Sequence, residues 1–172
     1  MASKTLMSVE EYLRTSFEDG DCEYVDGEIV EKNMGELGHG SVQARLITLL
    51  SALNTTLGLQ VAAEIRIRIS SSRYRVPDIG VWLPGDIGKH IPTVPPFLVI
   101  EVLSPDDRMT RMKVKVEEYL SIGVQWIWLV DPEERKAICY SQANPAGSVC
   151  ESLRTENPAI EIPLEKVLAS GA

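Results

Sequence analysis

Two acids stand where acids are costly. Asp78 lies in Val76-Pro77-Asp78-Ile79-Gly80-Val81-Trp82, and Glu101 in Phe97-Leu98-Val99-Ile100-Glu101-Val102-Leu103. Both runs are apolar enough to be buried on two faces, and a carboxylate buried there must be paired, protonated or bound to a metal. Strand alternation puts Asp78 on one face with Tyr74, Val76, Gly80 and Trp82, and Glu101 with Val99 and Leu103. If those faces coincide, the carboxylates converge. Hard divalent cations take a few carboxylates plus waters and leave room for a substrate phosphate, activating a water and stabilising charge on a phosphodiester. Lys115, between Met112 and Tyr119, borders the buried stripe of a helix and can reach back toward Glu101. There an ammonium either orients the attacking water or simply neutralises the glutamate. Asp78 has its own plain alternative, a hydrogen bond at a turn or bulge. Glu64 lies on the polar face of its strand, and His39 and His90 lack the spacing of a histidine metal site.

The elements that must carry these residues are legible in outline. Ser8-Val9-Glu10-Glu11 has capping-box spacing and opens a short helix through Arg14. Asp26-Gly27 between two short alternating runs predicts a hairpin. Gly35 to Ser41 superficially resembles a phosphate-cradling loop but lacks the Gly-Lys-Ser/Thr ending. It precedes a helix whose Val42, Leu46, Leu49, Leu50, Leu53 and Leu57 form an apolar stripe, with Gly58 as terminator. Residues 63–69 alternate strictly and predict one strand; 74–83 predict another, interrupted or at an edge because of Pro77. After the Pro- and Gly-rich 84–96 come the strand of Glu101 and a second helix, capped by Ser104-Pro105-Asp106-Asp107 and ended by Gly123. Residues 124–130 form an almost wholly apolar central strand, 135–140 return as its hairpin partner, and short segments at 151–154 and 159–162 finish the sheet before a terminal helical turn. The order predicts an α/β (α+β) fold, with one mixed central sheet flanked by two main helices and preceded by a helix and hairpin.

Composition bounds the rest. A chain of 172 residues suits one domain, 1–172, with a core that needs no staples. No apolar run approaches a membrane span and the N-terminus does not read as a signal peptide, so a cytoplasmic protein is expected. Cys22, Cys139 and Cys150 are scattered and odd in number, and are expected to be reduced thiols. The net charge of -8 argues against a nucleic-acid partner only in sum: residues 66–115 carry +4 and the flanks -12. Those bases are either solvated faces or phosphate contacts.

Several of these residues together resemble a known pattern. Ser8-x-x-Glu11-Tyr12, Glu23-Tyr24-x-x-Asp26-Gly27, His39, Pro77-Asp78, Glu101-Val102-Leu103-Ser104-Pro105, Lys115 with Tyr119, and Gly123-Val124 leading to Trp128-Leu129-Val130-Asp131-Pro132 are similar to the Uma-two family of bacterial putative restriction endonucleases, in the PD-(D/E)XK nuclease superfamily. The resemblance runs to Tyr140 and implies a restriction-endonuclease-like core. It implies a Mg²⁺-dependent phosphodiesterase, with Mn²⁺ as a substitute, in which Asp78 and Glu101 bind the metal. The superfamily's lysine two residues after the glutamate is replaced by Leu103, and the family's displaced lysine maps onto Lys115. His39 matches the family's histidine at a helix start, and Arg111 stands where an acid is frequent. DNA is the expected partner and a homodimer the expected assembly, since cutting two strands calls for two sites. The competing expectation is a non-catalytic DNA-binding or oligomeric module, in which Asp78, Glu101 and Lys115 form a buried ion network.

Overall fold

A computed structural model describes residues 6–18, 20, 22–32, 36–85 and 87–169. Met1 to Lys4, Gly35 and Asp86, which carried expectations above, lie outside them. The chain opens with α1 (Val9–Arg14), where the Ser8 hydroxyl accepts from the Glu11 N–H as the capping spacing requires. The Asp-Gly turn joins β1 (Glu23–Val25) to β2 (Glu28–Val30), with φ of 51° at Asp26 and 95° at Gly27. A two-residue hairpin turn with both positions left-handed matches the strand twist, and Asp-Gly tolerates it best. α2 (Leu37–Ala52) buries Val42, Leu46 and Leu50, and a further turn, α3 (Asn54–Leu57), ends at left-handed Gly58. The glycine-rich stretch is therefore not a loop: Gly38 and Gly40 lie inside the first turn of α2.

Next come β3 (Gln60–Ala63), β4 (Ile67–Ser70), β5 (Arg73–Arg75), β6 (Ile79–Trp82) and β7 (Leu98–Val102). α4 (Met109–Ser121) leads to β8 (Trp126–Asp131), followed by β9 (Lys136–Ser141), β10 (Ser148–Val149), β11 (Ser152–Thr155), β12 (Ile160–Pro163) and α5 (Leu164–Val167). The main sheet has the order β10-β9-β8-β7-β6-β3. It is mixed: β7 and β8 are parallel, joined by α4 as crossover, and every other pair is antiparallel. A second, antiparallel sheet, β2-β1-β5-β4, packs Tyr24 and Tyr74 against Tyr12 of α1.

Alternation along β7 sorts its side chains between two cores. Leu98, Ile100 and Val102 face α2 together with Ile79, Val81, Trp128 and Val130, while Val99 faces α4 with Trp82, Ile127 and Leu129. Period two places Glu101 on the α4 side, among Met112, Val116 and Tyr119. The two main helices thus flank the sheet as expected, one on each face.

Three sequence expectations need correction. The run 63–69 is two strands: Glu64 adopts φ of 52°, and the chain leaves β6 for a pairing with β5 in the other sheet. The run 74–83 is interrupted as expected, at Val76-Pro77-Asp78, where Pro77 has no N–H to give a ladder. Both breaks hand the chain between the same two sheets. Ser104 to Asp107 closes a turn of its own, with the Ser104 N–H donating to Asp107 Oδ2 at 2.7 Å, and the helix begins only at Met109. The segments after residue 150 pair with each other as a separate ribbon rather than finishing the sheet.

The cysteines also differ from expectation. Cys139 and Cys150 form a disulfide with Cα atoms 6.3 Å apart. The hairpin β9–β10 pairs Ser148 with Cys139 and brings Cys150 beside Ala137, a juxtaposition that a separation of 11 residues does not announce. Cys22 stays a buried thiol.

Candidate active site

The seam between the two sheets is where the acids meet. Asp78 immediately precedes β6, at the chain's return from the second sheet. Its carbonyl accepts from the Glu64 N–H at 3.3 Å and from Gln43 Nε2 at 3.0 Å, so the two breaks and α2 hold one another. The carboxylate is buried. Lys32 Nζ sits 2.7 Å from Oδ1, while the Val102 N–H donates to Oδ2 at 2.7 Å and His39 Nε2 lies 3.2 Å from the same oxygen. Burial opposes its ionisation, but the His39 contact, the Lys32 charge and hydrogen bond, and the Val102 N–H outweigh it and hold Asp78 at about 2. Asp78 raises His39 in turn, through the shared hydrogen bond, and keeps the buried Lys32 charged.

Glu101 behaves in the opposite way. Tyr119 donates to Oε1 at 2.6 Å and Lys115 Nζ lies 3.5 Å from the same atom. No hydrogen bond or ion pair reaches Oε2 among the described residues. Burial, together with the charge of Asp78, lifts its pKa above the ordinary range despite Lys115. Tyr119, buried against this carboxylate, is pushed well up and stays a hydrogen-bond donor. The two acids expected to converge therefore do so, and their mutual charge is felt most at Glu101.

Lys115 has a nearer partner, Glu23 of β1, at 2.8 Å. Glu101 and Glu23 are both buried, so both carboxylates act on this ammonium with little screening. Together these acids raise Lys115 above the ordinary lysine range. Glu23 in turn binds Arg75 Nη1 at 2.7 Å, and Arg75 Nε reaches Glu118 Oε2 at 2.6 Å. Glu118 also binds Arg73 at 2.7 Å, which continues to Asp26 at the hairpin turn. The geometry follows from alternation: in β1 and β5 the tyrosines face α1, so Glu23, Arg73 and Arg75 face α4, whose Lys115 and Glu118 are one turn apart. Burial opposes the charge on Glu23, yet Lys115 and Arg75 hold its pKa low.

A cavity of about 530 Å³ is lined by Glu23, Lys32, His39, Arg75, Asp78, Glu101, Arg111 and Lys115, among others. Of the four residues expected from sequence, Asp78, Glu101 and Lys115 are joined by direct contacts or shared charge, and His39 joins them through Asp78. Glu64 is exposed, with only a 3.4 Å contact from Gln43, and His90 is exposed and remote. Trp82 and Trp128 are core residues. Sequence reasoning missed Lys32 and Glu23. Lys32 carried no signal at all; Glu23 stood in the Glu23-Tyr24-x-x-Asp26-Gly27 pattern but was given no chemical role.

The donor set suits one kind of metal ion. Among the described residues no group of three or more His, Cys, Asp or Glu is placed to hold a metal ion. Two crowded carboxylates, one with an oxygen left without a partner, fit a hard cation that keeps most of its waters.

A mixed sheet between two helices, with an acid before one strand and a second acid inside the next, defines an α/β protein with a paired-acid site. The chain belongs to the Uma2 family, described as putative restriction endonucleases, which matches residues 9–171. Its fold is similar to the crystal structure of a putative nuclease belonging to DUF820 from Anabaena variabilis, with a TM-score of 0.78. That protein is 22% identical, and the likeness covers 95% of this chain and 98% of the other. No curated protein matches the sequence. No helix among the described residues is long and apolar enough to cross a membrane.

Proposed function

We propose that this protein is a Mg²⁺-dependent endonuclease, also served by Mn²⁺, that hydrolyses phosphodiester bonds of DNA. The observation that carries the reading is the Asp78–Glu101 pair: two buried acids at one cavity, the second with an unused oxygen and a raised pKa that a cation would relieve. Asp78 and Glu101 would hold the ion, which supplies an activated water and charge stabilisation at the phosphate. Tyr119 and Lys115 fix Glu101 from behind through Oε1, leaving Oε2 for the cavity. Lys115 favours the ionised form of Glu101, and His39 orients Asp78 through Oδ2. Arg111, exposed at the cavity mouth, is placed to meet a phosphate. Double-strand cleavage would then call for a homodimer.

Nicking of supercoiled plasmid in Mg²⁺ or Mn²⁺ tests this. Glu101→Gln keeps an acceptor for Tyr119 and removes the charge, so it should fold and lose metal-dependent nicking by about a hundredfold or more, the scale of a lost charge-stabilising group. Equal cleavage by the wild type and this variant refutes the assignment.

One observation favours a second reading, a non-catalytic DNA-binding module. Leaving aside exposed Asp26, Lys32, Lys115, Arg75 and Arg73 match Asp78, Glu101, Glu23 and Glu118 charge for charge, so this inner network needs no ion for neutrality. Calorimetric titration separates the two: no heat with Mg²⁺ or Mn²⁺ and an unchanged melting temperature would support the module.

A further inference from the structure

The cavity holds one cation that neither motif nor alternation predicts. Lys32 follows β2 outside any helix or strand, yet its ammonium is largely withdrawn from solvent and set 2.7 Å from Asp78 Oδ1. Its setting differs from that of Lys115. Lys115 rises from the middle of α4 and is clamped between two acids, Glu23 and Glu101. Among the described residues Lys32 has one carboxylate in direct contact, Asp78, and it has a flexible four-carbon stem on irregular chain.

Asp78 cannot easily serve two cations. Its Oδ2 already accepts the Val102 N–H and faces His39 Nε2, so Oδ1 is the side open to an ion, and Lys32 stands there. An ammonium and a divalent ion on one carboxylate oxygen would repel strongly at this depth.

We propose that Lys32 is a tethered counter-ion that occupies the metal-facing oxygen of Asp78 and is displaced when a divalent cation binds. This rests on the endonuclease reading and deepens it. Charge explains why such a device is useful. The inner network, without exposed Asp26, is neutral with Lys32 in place. Exchanging it for a divalent ion leaves one excess positive charge, which a single phosphodiester neutralises. The ion and the nucleic acid would therefore bind with mutual support, while the metal-free protein keeps Asp78 ionised and positioned without an unpaired buried charge. Lys32 is in this sense a positioning residue: it acts on Asp78 and on metal affinity.

Calorimetric titration of the full chain with MnCl₂ and MgCl₂ tests the exchange. Lys32→Met retains the stem and removes the charge. It should bind metal about tenfold or more tightly than the wild type, a factor worth about 1.4 kcal/mol of relieved repulsion. A second readout needs no variant: the side-chain ammonium resonance of Lys32, protected by its ion pair, should be lost to solvent exchange when wild-type protein is saturated with Mg²⁺. Equal or weaker metal binding by Lys32→Met, or a Lys32 resonance unchanged at saturation, overturns this inference and leaves the metal assignment standing. Absence of binding by both proteins overturns the metal assignment itself, and this exchange with it.

Discussion

Lys115→Met is the most informative single change, because its cost depends on pH in a way that the structure fixes. The substitution keeps the packing length and removes one ammonium that faces both Glu23 and Glu101. Glu23 retains Arg75 at 2.7 Å and the Val76 N–H at 3.4 Å. Among the described residues Glu101 retains the Tyr119 hydroxyl and the charge of Lys32. Already raised by burial and by Asp78, Glu101 then folds protonated. Taking up that proton at pH 7, against an ordinary glutamate value of 4.3, costs at most about 3.5 kcal/mol relative to an ionised wild type, and at pH 5 at most about 1 kcal/mol. The sign follows from linkage: an acid whose folded pKa is raised penalises folding increasingly as pH climbs above its unfolded value. For a chain of this size the full loss at pH 7 lowers the melting temperature by about 7–14 °C, and at pH 5 by about 2–4 °C. Urea titrations and thermal melts of both proteins at the two pH values measure it. Adding Glu101→Gln should restore most of the loss at pH 7. A penalty of the same size at both pH values, or below about 1 kcal/mol at pH 7, would refute the claim that Lys115 holds Glu101 ionised.

Asp78, held at about 2, contributes on the order of 2 kcal/mol at neutral pH, present above its ordinary value near 3.9 and lost as pH falls through about 2. Acid denaturation of Asp78→Asn should accordingly show a flatter stability profile between about pH 4 and 2 than the wild type. His39 is raised by Asp78, so its contribution is complete below its ordinary value and fades as pH rises through the folded one; NMR titration should find its pKa above 6.5 in the wild type and lower in Asp78→Asn. Gly80 has a steric reason: a Cβ there would lie 2.5 Å from the ring of Trp82, itself locked in the α4-side core. Gly80→Ala should therefore cost about 1–3 kcal/mol in urea unfolding, and a neutral result would show that the ring can shift.

Local chemistry determined much of this protein before any tertiary contact is considered. Ser8 capped its helix and Asp26-Gly27 made its turn, because both signals act within a few residues. The stripes of α2 and α4 and the period-two pattern of β7 placed Glu101 beneath Lys115 and Tyr119, since helical and strand periods fix which side chains share a face. What local pattern does not encode is which sheet a strand joins. Residues 63–69 alternate without a flaw, yet Glu64 turns left-handed so that β3 pairs with β6 and β4 with β5. That exchange of sheets, repeated at Pro77, carries Asp78 to the seam and brings Glu23 and Lys32 to it from 55 and 46 residues away in the chain. The Cys139–Cys150 bond has the same origin, a hairpin register that residue spacing leaves open. Sequence fixed the candidates for chemistry through short-range periodicity; only long-range strand pairing decided which charges surround them, and therefore which acid stays ionised.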